Sequence, residues 1–164
     1  MINVLFLCTH NSARSILAEA LLTHLGEGRF KGWSAGSSPR PGQIPNPLAL
    51  AVLAEAGIAT GELRSKTWDA FAQADAPVMD LIITVCDNAA GEVCPIWPGH
   101  PATAHWSYPD PSDVAGSDES RRAAFRQTML AIRHRVTLLV ALPPEQVVVS
   151  TLQRSARAIA GQGL

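Results

Sequence analysis

The segment Cys8-Thr9-His10-Asn11-Ser12-Ala13-Arg14-Ser15 puts a thiol and a guanidinium at the two ends of a five-residue turn, directly after an apolar run. A thiolate is the strongest side-chain nucleophile near neutral pH, and a guanidinium fork binds two oxygens of a tetrahedral anion at once. Backbone N–H groups wrapped in front of a helix N-terminus favour the same anion. The octet therefore reads as a nucleophile, Cys8, inside an oxyanion cradle made by Thr9, His10, Asn11, Ser12, Ala13 and Arg14. Ser15 is placed to hydrogen-bond the thiolate, and the positive field is expected to lower the Cys8 pKa. Asn11 tolerates the left-handed backbone that a tight anion nest requires. A nucleotide phosphate loop is excluded, because no glycine-rich run ends in Gly-Lys-Ser or Gly-Lys-Thr.

Cys86 and Cys94 follow a second apolar run and supply two more thiols. A hydrolase of phosphate esters needs only the first motif. A chain with both is equipped to draw electrons through Cys8 and reduce the anion it binds. Three cysteines are an odd number and do not form a disulfide framework. Cys86, Cys94, His100 and His105 mix the right ligand types for zinc. However, paired structural ligands usually stand two to four residues apart, and Cys86 to Cys94 is too wide. We therefore expect no metal. His24 and His134 read as solvated helix positions; Trp68, Trp97 and Trp106 read as packing aromatics.

The elements that must position these groups alternate between strand and helix. Asn3 to Cys8 is a continuous apolar strand, the kind buried on both faces. From Ser12 the pattern turns helical, with Ala13, Ile16, Leu17, Ala20, Leu21 and Leu25 on one face until Gly26 and Gly28. Lys31 to Ala35 is a second strand, and Ser37 to Pro47 a proline-rich loop. Pro47 opens a helix that Gly57 stops. Trp68 to Gln73 reads as a helical turn, Asp80 to Cys86 as a buried strand, and Thr103 to Ser107 as a weaker fourth. Glu119 to Leu142 is a long helix stopped by Pro143-Pro144. Such alternation implies right-handed crossovers and a parallel sheet. The predicted fold is α/β: a flavodoxin-like three-layer arrangement with a four-stranded parallel sheet of order 2-1-3-4 flanked by helices. Ligands bind beyond the carboxyl ends of such strands where the winding reverses, beside strand 1. That order makes strands 1 and 3 neighbours, so Cys8 and Cys86 face one crevice.

At 164 residues and 17.4 kDa the chain is one domain's worth. Residues 1–142 read as a single catalytic domain and 143–164 as a C-terminal extension. In that extension Leu152, Ala156 and Ile159, with Arg154 and Arg157, form either a short amphipathic helix or a loose tail. A net charge of −1 excludes a broad electrostatic footprint for nucleic acid or anionic membrane. No apolar run reaches membrane-spanning length. The Ile2–Cys8 run lacks the basic flank of a signal peptide, which makes the cytoplasm, where thiols stay reduced, the expected location.

Cys8 to Ser15, Ser34-Ala35-Gly36, Asp80 to Pro95, and His105-Trp106 through Asp110-Pro111 resemble the arsenate reductases built on the low-molecular-weight protein tyrosine phosphatase fold. The resemblance runs through residues 2–140. The cysteine–arginine loop points to the superfamily, and the 85–95 stretch VCDNAAGEVCP to its reductase branch. What it implies is a thiol–disulfide relay. Cys8 attacks arsenate, and Asp110, on a loop stiffened by Pro109 and Pro111, serves as general acid. Cys86 then attacks the Cys8 sulfur and expels arsenite, and Cys94 attacks Cys86 to free Cys8. The implied partner is a thiol reductant: thioredoxin, glutaredoxin with glutathione, or another low-molecular-weight thiol.

Asn11, Glu19 and Ser34 resemble a set that holds a potassium ion beneath the loop in some relatives, and this chain has Lys66 in place of an acidic ligand. The resemblance thus implies no potassium requirement. The alternative activity is a low-molecular-weight phosphotyrosine or phosphomonoester phosphatase. It shares Cys8, Arg14 and Asp110, but wants aromatic walls that a chain with 5% aromatics, and serine at position 112, does not advertise. A non-enzymatic redox sensor or zinc-bound adaptor needs no tetrahedral cradle.

Overall fold

The computed structural model describes residues 1–86, 101–143 and 148–161. Cys94, Trp97 and His100 lie outside the described residues. Four parallel strands form one sheet: β1 (Ile2–Cys8), β2 (Phe30–Gly36), β3 (Leu81–Thr84) and β4 (Ala102–His105), in the order β2-β1-β3-β4. This is the predicted sheet and strand order, and it puts β1 at the centre. Strands 3 and 4 are shorter than their apolar patterns suggested, because regular pairing stops where the chain turns into the site.

Strand alternation splits the core in two. Val4, Phe6, Leu81 and Ile83 face one side of the sheet, and Leu5, Leu7 and Ile82 the other. The first side carries α1 (Arg14–Gly26), α2 (Pro47–Glu55), α3 (Asp118–Val140) and α4 (Val149–Ala160). Among the described residues the second side is closed by the 3-10 turn Trp68–Phe71, Met79 and Trp33. The helical cover is thus uneven, with all four α-helices of the described residues sharing one face.

That crowding explains α1. The sequence pattern assigned it a single apolar face, yet Ala18 and Leu22 are fully buried along with Ile16, Leu17 and Leu21. It lies between the sheet and the helices α2 and α3, so nearly every side is an inside. Gly32 lets β2 pass close to it: a Cβ there would collide with the Glu19 carbonyl oxygen.

Of the two readings of the C-terminal region, the structure shows the amphipathic helix. Leu152, Ala156 and Ile159 of α4 join the main core, and Trp106 donates its indole N–H to the Ala156 carbonyl at 3.0 Å. Burying Leu152 and Ile159 stabilises this docking by roughly 1.5–3 kcal/mol per side chain. Arg157 adds hydrogen bonds to the Thr103 carbonyl and hydroxyl.

Candidate active site

The loop after β1 lies where the strand order reverses. Its backbone is pinned on both flanks: Ser37 and Ser38 N–H groups donate to the Cys8 and Thr9 carbonyls, and Asn46 N–H donates to the Ser12 carbonyl. Gly36 permits this closeness, since a Cβ there would lie 2.6 Å from the Thr9 carbonyl oxygen. Asn11 adopts φ 55°, the left-handed geometry expected of it, and is fully buried. Its side chain works in two directions: Nδ2 donates to Ser15 Oγ at 2.8 Å, and Oδ1 accepts from Lys66 N–H at 2.9 Å. Helix α1 starts at Arg14, two residues later than its pattern suggested, because Ser12 and Ala13 are spent on the loop. No side chain caps that first turn, which leaves its N–H groups directed at the loop.

Arg14 reaches across to the loop after β4. Its Nη1 donates to the Tyr108 carbonyl at 2.9 Å, and its Nη2 lies 3.5 Å from Asp110 Oδ2. That loop is itself held from behind. Arg135 of α3, only 5% exposed, donates to the Ser107 and Ala160 carbonyls and stacks 4.8 Å from the Tyr108 ring centroid. Sequence reading did not single out Arg135. The signal was present, because it interrupts the buried stripe of Ile132, Val136 and Leu139. Burial raises the Tyr108 hydroxyl to about 12, so it stays neutral. Between the two loops and the 40–47 segment is a cavity of about 440 Å³, lined at its floor by Cys8, Ala13 and Arg14 and at its rim by Arg40, Ile44 and Asp110.

Cys86 sits two residues past β3. Val85 N–H donates to the Leu7 carbonyl at 2.9 Å and carries the ladder one step beyond the strand. This brings the Cys86 thiol into contact with Cys8, both buried and neither in a disulfide. Thr9 Oγ1 is 3.6 Å from Cys86 Sγ. The Thr9 hydroxyl thus faces the second cysteine, while Thr9 also lines the cavity. His10 lines the same cavity, with Nδ1 3.0 Å from the Ser38 carbonyl.

The expectation of a resting Cys8 thiolate is not met in this geometry. Contact with Cys86, followed by burial, pushes the Cys8 thiol upward against the pull of Arg14 and the Thr9 N–H. The cause is physical: two touching thiols resist becoming two facing thiolates and hold at least one proton between them.

Beneath the loop, Lys66 Nζ donates to the Arg64 carbonyl at 2.8 Å and the Ser34 carbonyl at 3.0 Å, and lies 3.9 Å from Glu19 Oε1. Ser34 Oγ donates to the same Glu19 oxygen. Burial raises the Glu19 pKa and lowers that of Lys66, and each charge partly offsets the other's desolvation. Of the four side chains with zinc-ligand chemistry, His105 engages Thr84 through Nδ1, while Cys94 and His100 lie outside the described residues. No group of three metal-ligating side chains occurs among the described residues.

The model of the low molecular weight phosphotyrosine protein phosphatases matches residues 3–155. The chain belongs to that family. An arsenate reductase of Halalkalibacterium halodurans is 35% identical over 134 residues, spanning 81% of this chain and 91% of its own. The crystal structure of an arsenate reductase from Archaeoglobus fulgidus superposes with a TM-score of 0.63 at 31% identity, covering 85% of this chain and 99% of its own. A thioredoxin-dependent arsenate reductase of Corynebacterium glutamicum aligns with a TM-score of 0.55 at 28% identity, over 81% of this chain and 59% of its own. Among the described residues no helix is long and apolar enough to cross a membrane.

Proposed function

We infer that this chain reduces arsenate to arsenite, with Cys8 as nucleophile and a disulfide that passes from Cys8–Cys86 to Cys86–Cys94. The observation that carries the reading is the contact between two buried thiols, Cys8 and Cys86, beside the Arg14 cradle. A phosphatase has no use for the second thiol; the reductase has. The relatives named arsenate reductase support the choice of anion.

The steps balance. Cys8 sulfur bonds to arsenic and one As–O bond breaks; the departing oxygen leaves as water with a proton from Asp110. Arsenic remains As(V). A protonated Cys8 fits this chemistry, because a dianionic oxyanion takes the thiol proton as it binds, giving the charge of a thiolate beside a monoanion. Arg14 and the loop N–H groups hold the three remaining oxygens. Ser15, oriented by Asn11 Nδ2, stabilises sulfur charge as it develops. Cys86 then attacks Cys8 sulfur. The S–S bond forms, the S–As electron pair goes to arsenic, and arsenite leaves as As(III). Cys94 attacks Cys86, freeing Cys8 and carrying the disulfide away from the cradle. A thiol reductant closes the cycle, whether thioredoxin, glutaredoxin with glutathione, or another small thiol, and the reducing cytoplasm is the compartment that supplies it.

The phosphatase alternative shares Cys8, Arg14 and Asp110. The cavity walls disfavour it, since Ile44, Pro47 and Ser112 offer no aromatic surface for a phenyl ring. The deciding experiment is arsenite formation measured with each thiol system in turn. We expect sustained turnover with at least one. Phosphomonoester hydrolysis without arsenite production in any of them would replace this reading by the phosphatase.

Lys66 serves as a built-in cation beneath the loop. Its ammonium takes two carbonyls and faces a carboxylate, the oxygen set a monovalent ion would otherwise occupy. Adding potassium should therefore change the wild-type rate by less than about twofold. Lys66→Met removes the charge beside Glu19, and in that variant potassium should stimulate turnover. Strong potassium activation of the wild type would remove Lys66 from this role.

A further inference from the structure

Asp110 is held asymmetrically. Its Oδ1 accepts two hydrogen bonds from one residue, the Ser112 N–H at 2.9 Å and the Ser112 hydroxyl at 2.7 Å. Its Oδ2 has neither and points to the cradle, 3.5 Å from Arg14 Nη2. The amide bond is the ordinary cap of the short 3-10 turn Pro111–Asp113. The hydroxyl bond is specific to the side chain at 112, and Ser112 lines the cavity beside Asp110.

We propose that Ser112 is a positioning residue for the acid step: it occupies Oδ1, fixes the carboxyl plane, and leaves Oδ2 as the oxygen that carries and delivers the proton. The assignment rests on the arsenate-reductase reading above for its substrate, though not for its geometry. An oxygen that accepts from an obligatory donor such as an amide N–H, and from a hydroxyl as well, has both lone-pair directions filled. A proton on the carboxyl group must then reside on Oδ2. When Cys8 sulfur bonds to arsenic and the As–O bond breaks, that proton goes to the departing oxygen, which leaves as water, while Ser112 stabilises the carboxylate left behind. Without the hydroxyl, Oδ1 keeps a single bond, the carboxyl group turns more freely, and the proton is divided between an oxygen facing the cradle and one facing away. Substrate binding, which is the task of Arg14 and the loop amides, is untouched.

The test compares Ser112→Ala and Ser112→Thr with wild type. In single-turnover arsenate reduction, Ser112→Ala should be slower by about 3- to 10-fold at saturating arsenate, with the arsenate KM within about twofold. Ser112→Thr, which keeps the hydroxyl, should recover most of the rate. Alkylation of Cys8 by iodoacetamide, which needs no acid, should proceed equally in all three. A second arm uses phosphomonoesters. Ser112→Ala should lose more on phenyl phosphate, whose leaving group needs protonation, than on 4-nitrophenyl phosphate, whose leaving group does not.

A wild-type rate in Ser112→Ala, failure of threonine to rescue, or equal loss on the two esters overturns the assignment. So does a change in KM or Cys8 alkylation as large as the change in rate, which would mean that the loop had moved. A chain that hydrolyses the esters and reduces no arsenate refutes the reductase reading alone, and the ester pair still decides the role of Ser112.

Discussion

Cys8→Ser should abolish arsenate reduction and any phosphomonoester hydrolysis, by at least about 10⁴-fold, while leaving oxyanion binding nearly intact. Oxygen is smaller than sulfur and serine keeps the side chain's shape, so nothing pushes the loop, pinned by Ser37, Ser38 and Asn46, out of place. Arg14 and the loop amides still present the same donors to a tetrahedral anion. What is lost is the reacting atom, because no field at this site brings a serine hydroxyl near ionisation at neutral pH, and oxygen cannot serve as the electron relay to Cys86. Steady-state turnover and isothermal titration with phosphate, measured side by side, separate the two effects. Residual turnover above a hundredth of wild type would mean that another thiol attacks the anion. Loss of binding in step with turnover would mean that the loop had collapsed.

The fold was legible because its signals are local and repeated. The Val4-Leu5-Phe6-Leu7 and Leu81-Ile82-Ile83 runs are buried on both faces, and strands of that kind separated by helices admit few sheet orders. The order then carried the long-range fact that matters most, the meeting of Cys8 and Cys86 across nearly half the chain. The cysteine–arginine loop was legible for the same reason, as eight consecutive residues. Contacts between loops distant in sequence were not. Nothing in one dimension says that Arg14 will bond the Tyr108 carbonyl, that Arg135 will anchor the loop that carries Asp110, or that the Thr9 hydroxyl will turn to Cys86. The Cys8 thiol is a further case. The sequence displays Arg14 six positions along the chain and hides the thiol that opposes it, so the Cys8 pKa moves opposite to the direction the loop alone implied. The docking of α4 was ambiguous until Trp106 and Thr103 supplied its partners.

Cys86→Ala should stop arsenite production and, in the same variant, make Cys8 more reactive. The first effect follows from electron accounting. With Cys86 gone, the Cys8–arsenic adduct has no adjacent thiolate to take its sulfur, so arsenic remains As(V) and the adduct reverts or hydrolyses. Turnover should fall by about 10³-fold or more in any thiol system whose entry point is Cys94. The second effect has the opposite sign and comes from the pKa. Contact with Cys86 is the largest cause raising the Cys8 thiol, followed by burial, while Arg14 and the Thr9 N–H pull it down. Deleting the first leaves the downward pulls opposed chiefly by burial. The thiolate fraction at neutral pH should therefore rise, and iodoacetamide should label Cys8 faster in the variant than in wild type, with the increase of rate with pH displaced to lower pH. A structural defect predicts neither the pairing of these effects nor their signs. Faster labelling with arsenite production retained would show that electrons bypass Cys86. Lost production with slower labelling would show that Cys86 activates Cys8 instead of restraining it, and the contact between the two sulfurs would need a different electrostatic account.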